Sequence, residues 1–387
     1  MENERGPGMI RWREGRVTAV GRSWPGAVEL DVDVSDPGPG DDPAGSDPAG
    51  EGRRVSCRAL AYPELTGEVC VGDLVLLNST ALERGLGTGG YALVAALPGR
   101  VPSTGPTGPG HLVKARYTPG QVMVLGADEQ ESPHHGLLAD ADDLFGMPVV
   151  AADLHSSLPA VVAGLRAARP DVVVAYVMTD GGALPAAFSR TAAGLRASGW
   201  LDVTVTVGQA FGGDLEAVTV HTGLLAARLV ARADVAVVAQ GPGNLGTGTR
   251  WGFSGVSAGE AINAAGVLRG RPVGCLRVSS ADARDRHRGV SHHSLTAYGR
   301  VALVPADIVV PLLPGPFGER VRAQAAVLGA PTGRHRLVEV GLEGLRPALD
   351  ACPVRLTTMG RGLDDDEPAF LAAAAAGRHA ASLLPPP

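Results

Sequence analysis

Residues 235–239 form a short β-branched apolar run, which breaks at once into Gly241, Gly243, Gly246 and Gly248, interleaved with Asn244, Thr247 and Thr249. At the carboxyl end of a strand, such a loop offers backbone N–H groups and small hydroxyls to a carboxylate or phosphate. The spacing Gly241-x-Gly243-x-x-Gly246 also matches the dinucleotide pattern. That pattern should open a helix directly, whereas residues 250–255 intervene here, and no acidic ribose partner follows about twenty residues on. A phosphate-binding lysine of the Walker type is missing too. An anion cradle, a nucleotide site and a wide structural turn are the alternatives for this loop.

Ionisable residues follow several other apolar runs. Asp128, Glu129, Glu131, His134 and His135 come after residue 126, and Asp153 and His155 after residue 152. Asp180 opens a Gly-Gly turn after residue 178, and Asp282, His292 and His293 follow residue 278. A histidine here would transfer protons near neutral pH, and Asp180 would orient it or serve as a base, or simply cap a helix. The pairs His134-His135 and His292-His293 invite a metal, but adjacent side chains are expected to point apart, leaving one ligand per pair. No HExxH or similar spacing appears. No metal site is therefore assigned, and polar or capping histidines are the competing reading. Lys114 is the only lysine, against thirty-three arginines. It marks a position where the forked, permanently charged arginine would not serve, or it is a chance survivor. The catalytic candidates are thus Lys114, His155, Asp180, His292 and His293, with the 241–249 loop as the ligand-binding element.

The elements that must position these groups fall into two patterns. Residues 9–97 hold five short runs of strand type (16–20, 28–34, 55–59, 69–77, 91–96), which suggests a small β-barrel of the SH3 or OB kind. Within it, residues 35–52 are rich in Pro, Gly and Asp, and disorder is expected there. Met9 is the expected natural start. Residues 98–110 read as a Pro/Gly linker. From 111 to 383, strand-length apolar runs (122–126, 149–152, 172–178, 203–207, 235–239, 273–278, 308–312, 337–340) alternate with helical segments near 157–168, 186–198, 214–232, 257–268, 292–302, 318–328 and 342–351. A last alanine-rich helix is expected near 367–383. Alternation of this kind predicts an α/β domain with a mostly parallel, doubly wound sheet and helices on both faces. All strand ends then converge on one rim, where most of the ten histidines fall.

Composition narrows the function classes. The 387 residues are 45% hydrophobic and 19% charged, with a net charge of −6. No basic run appears, which argues against a nucleic-acid partner. Cys57, Cys70, Cys275 and Cys352 lie far apart with no CxxC pair, so neither a zinc site nor a disulfide framework is expected. The first residues lack the apolar stretch of a signal peptide, and no segment reaches the ~20 apolar residues of a membrane span. A cytoplasmic setting away from membranes is the expectation.

The segments RWREGRVTAV, ELTGEVCVGDLVLLNSTALERGLGTGGY, VAYVMTDGGALPAAFSRT, VAQGPGNLGTGTRWGFSG and RGVSHHSLTAYGRVAL resemble a bacterial family of unknown function, found in actinobacteria and firmicutes. That resemblance spans nearly the whole chain from Met9 and implies no activity. A fainter likeness is to the substrate-processing component B of glycine reductase, through residues 111–114 and 203–244. That component depends on a cysteine-derived pyruvoyl group, and this chain has no cysteine between Cys70 and Cys275. Only a fold and a small-carboxylate pocket would be implied. The expected function is an enzyme acting on a small anionic metabolite at the carboxyl-end rim. The alternative is a non-catalytic metabolite sensor or scaffold whose barrel contacts a partner. No cofactor is named by the sequence, and a homo-oligomer stays open.

Overall fold

The computed structural model describes residues 10–35, 54–100 and 108–386. The expectations for Met9, for the insertion within 35–52 and for much of the linker fall outside these residues. The chain divides into two compact units, one of residues 1–107 with 118–122 and one of residues 108–117 with 123–387.

The first unit is a closed five-stranded barrel in the order Trp12–Trp24, Ala27–Ser35, Arg54–Ala61, Ala92–Ala96, Leu74–Asn78. Alternation explains its core: Leu30, Val32 and Val34 point inward while Asp31 and Asp33 between them do not. They pack with Val17, Ala59, Val75, Leu77 and Val94. The expected run 69–77 is a strand only from Leu74, because residues 70–73 make a turn in which Cys70 N donates to Asp73 Oδ2 at 2.7 Å.

The second unit is an eight-stranded sheet in the order Leu215–Glu216, Val203–Thr206, Val174–Thr179, Val235–Gln240, Pro148–Ala151, Arg271–Cys275, Asp307–Pro311, Arg336–Val340. Every neighbouring pair is parallel. The central strands are buried along their whole length, which is why they read as unbroken apolar runs without alternation. Two sequence expectations need correction. The run at 122–126 lies outside this sheet, contributing a strand Val122–Val124 to a separate two-stranded ribbon. The helix expected over 214–232 begins only at Val220, because residues 215–216 form the edge strand.

Sheet order fixes where a site can form. From Pro148–Ala151 the chain crosses toward the Val174–Thr179 side, and from Val235–Gln240 it crosses back over to Arg271–Cys275. Right-handed crossovers in opposite directions put their helices on opposite faces. The helix Leu158–Ala168 accordingly packs with Glu367–Ser382, and Ser257–Val267 packs with the other layer. The first of these pairs is tight: a Cβ on Gly164 would lie 1.9 Å from Ala374 O, and one on Gly377 2.0 Å from Val161 O. Small residues thus let the two backbones touch, which accounts for the alanine-rich final helix. Between the adjacent strands Pro148–Ala151 and Val235–Gln240 the winding reverses, and a crevice opens at their carboxyl ends.

Candidate functional site

Three chain segments meet at this reversal. The first follows Ala151 and carries Asp153. The second follows Gln240, whose Nε2 donates to Asp153 O at 3.0 Å and to Asn244 Oδ1 at 2.9 Å. The third follows Cys275, where Val278–Ser279 pairs antiparallel with Gly289–Val290. That ribbon returns the chain beside its own start, so Ser291 N donates to Arg277 O at 2.8 Å. Ser291 then caps the helix His292–Thr296, its side chain accepting from His293 N. Gly289 sits at φ 80°, a turn conformation that folds His287 back over the helix start.

The result is a buried polar cluster. Asp153 is 2% exposed, and its Oδ2 lies 3.7 Å from Arg277 Nη1 and 3.5 Å from His293 Nδ1. Arg277 Nη1 is 3.1 Å from His293 Nδ1. The His293 ring stacks on Phe253, centroids 3.8 Å apart and planes within 4°. His287 Nδ1 meets Ser291 Oγ at 2.8 Å. The ring centroids of His287, His292 and His293 are separated by 4.5 to 5.0 Å. Burial pushes His287 down to about 3, helped by the charges of Arg277 and Arg284. Burial likewise pushes His292 down to about 4, with His293 and Arg286 adding to the effect. Both rings are neutral at neutral pH. Asp153 Oδ2 and His292 Nε2 are buried without a hydrogen-bond partner. Buried polar atoms are rarely left this way, because each costs about 1–3 kcal/mol.

Beside the cluster lies a small cleft lined by Ser156, Arg277, Ser279, Thr358, Arg361 and Asp366, among others. Asp366 accepts from Arg361 Nε at 3.0 Å and from Ser280 N at 2.9 Å. Nearby, the Arg284 fork holds the Asp282 carboxyl far below the usual carboxylate range. Arg277 therefore touches both the histidine cluster and an opening lined with hydroxyls and a second guanidinium.

The other sequence candidates are placed differently. Lys114 is 2% exposed, with Nζ 2.6 Å from Glu216 Oε2, 2.8 Å from Ala210 O and 3.0 Å from Thr206 O. Asp180 is exposed and accepts from Gln209 N at 2.8 Å. Both stand toward the Leu215–Glu216 edge of the same rim. His155 bridges Tyr176 Oη at 3.0 Å through Nδ1 and Ser189 Oγ at 2.7 Å through Nε2, and burial pushes it down to about 4. Ser189 in turn caps the helix Arg190–Ala197. His135 Nδ1 meets Asp128 O at 2.7 Å, and the 134–135 pair is not part of the histidine cluster.

The glycine loop closes on itself. Thr247 N donates to Gly252 O at 2.7 Å, the Thr247 and Thr249 hydroxyls are 3.1 Å apart, and Gly252 N donates to Thr249 Oγ1. Gly246 bridges Phe253, and Ser254 Oγ donates to Asn244 Oδ1 at 3.1 Å. Gly241 serves close approach: a Cβ there would fall 2.4 Å from Ala183 O. The loop's hydroxyls thus support the turn that delivers Phe253 to His293.

One expectation about the histidines is overturned. The adjacent pair His292-His293 does converge, because neighbours on a helix diverge by about 100° and not by 180°. His287, Arg277 and Phe253 belong to the cluster although they were not among the sequence candidates. The signal was present in RHRGVSHH: a third histidine five positions before the pair, with a glycine turn between. It follows neither helix nor strand periodicity, so only the ribbon reveals it.

A family model described as "Protein of unknown function (DUF3866)" matches residues 58–377. The chain belongs to this family. The match starts within the barrel strand Arg54–Ala61 and takes in the whole eight-stranded sheet and every residue of the histidine cluster. No curated protein and no solved structure matches the chain. The expected membership of a family of unknown function therefore stands, and the likeness to component B of glycine reductase is carried no further. Among the described residues, no helix is long and apolar enough to cross a membrane.

Proposed function

We propose that this chain acts on a small anionic metabolite at the winding reversal of the sheet, in a cytoplasmic setting. Arg277 and Arg361 supply positive charge in the cleft, and Ser156, Ser279 and Thr358 supply hydroxyls. Asp153 and the neutral histidines stand behind Arg277 as proton donors and acceptors. The observation that carries this reading is the incompletely bonded Asp153–Arg277–His293 set, buried at the carboxyl ends of the central strands. A carboxylate or phosphate arriving at Arg277 would complete its hydrogen bonding in a bidentate manner. Lys114, Asp180 and His155, offered by the sequence as catalytic, bond to other partners, Lys114 to Glu216, Asp180 to Gln209 N and His155 to Tyr176 and Ser189.

The test is thermal protection by a panel of small carboxylates and phosphate esters, since a ligand that binds only the folded chain raises its stability. At least one compound should raise the melting temperature of the native chain, and Arg277→Met should abolish that rise. If no anion protects the native chain, or Arg277→Met is protected equally, the reading fails. A metabolite that binds and is recovered unchanged would identify a sensor, and turnover would identify an enzyme.

A further inference from the structure

We propose that His287, His292 and His293 hold a divalent transition-metal ion of the zinc type, with Asp153 and Ser291 orienting the ligands from behind. This inference stands on the histidine geometry and is independent of the anion reading. Among the described residues this is the one group of three or more metal-ligating side chains whose donor atoms come within 4.8 Å of one another. Zinc–imidazole bonds of ~2.0–2.1 Å in tetrahedral geometry place ligand nitrogens roughly 3.3 Å apart. Rotation of the rings would have to close the gap from 4.8 Å.

The surroundings suit ligation in three respects. Nδ1 of His287 is held by Ser291 Oγ, which leaves Nε2 as its ligating atom. Such outer partners fix the tautomer and aim of a metal-bound imidazole. His292 Nε2 is buried without a partner, so the pair of electrons that a metal would accept has no competing proton donor. Asp153, nearly fully buried, also has an unpartnered oxygen aimed at His293 Nδ1. Ligation through Nε2 would move the ring proton to Nδ1, so Arg277 Nη1, which donates to Nδ1 at 3.1 Å, would have to turn to Asp153 Oδ2, 3.7 Å away, while Nδ1–H is donated to the same carboxylate in a carboxylate–histidine–metal relay. Three imidazoles leave a fourth position open, the pattern of a catalytic and not a structural zinc site. Arg277 opposes a cation there, and the Asp153 carboxylate offsets it. The ion would add a second positive centre beside the cleft, consistent with an anionic ligand.

The test uses the full chain, purified without a histidine tag and dialysed against chelator. Titration with Co2+ should give the intense visible bands of a tetrahedral site at one ion per chain, and Zn2+ should displace them. His287→Ala and His292→Ala should each weaken Co2+ binding at least tenfold, while His135→Ala leaves it unchanged. Should an alanine variant fail to fold, 15N spectra of the native chain decide instead: Zn2+ must shift three histidine Nε2 resonances. Absence of a stoichiometric site, or one that survives both substitutions, overturns the proposal. Metal binding without anion protection would sink only the earlier reading, and anion protection without metal would sink only this one.

Discussion

Two buried polar groups occupy the same rim of the sheet and are built on opposite terms. Toward the Leu215–Glu216 edge, Lys114 Nζ has three oxygens within 3.0 Å. Its partner Glu216 takes Thr206 Oγ1 at 2.7 Å on Oε2 and Gly212 N at 2.6 Å on Oε1. Every strong donor and acceptor there is answered. At the winding reversal, Asp153 Oδ2 has only the looser approaches of His293 Nδ1 at 3.5 Å and Arg277 Nη1 at 3.7 Å, and His292 Nε2 has no hydrogen-bond partner. The first group is a closed network that ties residues 206–216 to the strand Leu112–Lys114. The second keeps ionisable atoms in reserve, which costs stability and is explicable if something outside the chain completes them. Burial and charge alone do not separate the two; satisfaction does.

The largest expected effect breaks the closed group. Lys114→Met leaves the Glu216 carboxylate buried without its cation and should lower stability by about 3–5 kcal/mol in urea unfolding. A loss under ~1 kcal/mol would place Lys114 with the open group instead. The same measurement on His292→Ala should show a far smaller change, because no hydrogen bond of its Nε2 is lost.

A second, somewhat smaller effect is read from pH. His155 titrates near 4 in the folded chain because burial disfavours its charged form, against about 6.5 when unfolded. With the folded value depressed, its contribution to stability is fully present above about pH 6.5. It is lost as pH falls through the folded value, where the unfolded chain binds the extra proton. The full span is on the order of 3 kcal/mol as an upper limit. His155→Gln should flatten the stability profile between pH 6.5 and 4; an unchanged profile would mean that His155 is accessible to solvent and not part of a closed network.

The smallest effect sharpens the role of the glycine loop. Thr247 and Thr249 are exposed and bonded to each other. Thr247→Ala should change stability by no more than ~0.5 kcal/mol and leave anion protection intact. Loss of that protection would restore the loop as the ligand cradle.

Particular residues show how far the chain could be read without coordinates. The strands Val174–Thr179 and Val235–Gln240 were legible because full burial in a parallel sheet demands continuous β-branched runs. The barrel was legible through period-two alternation. Leu215–Glu216 was not, since two residues carry no period and their strand identity rests on pairing with Val205 and Thr206. The candidate list mixed the two groups at the rim for a related reason. Asp180, His155 and His292 are alike as polar residues after strands, Lys114 stood out only as the sole lysine, and only contacts distinguish a caged ammonium from an open imidazole.

What the sequence by itself determined is local: most of the strand and helix segments, and the rim that gathers their ionisable ends. These follow from backbone periodicity and from the rule that parallel strands share one carboxyl edge. Tertiary structure alone decided that the reversal falls between Pro148–Ala151 and Val235–Gln240 and that a short ribbon brings His287 to His292 and His293. Strand order and ribbon pairing are set by contacts between residues far apart in the chain, and no local pattern encodes those.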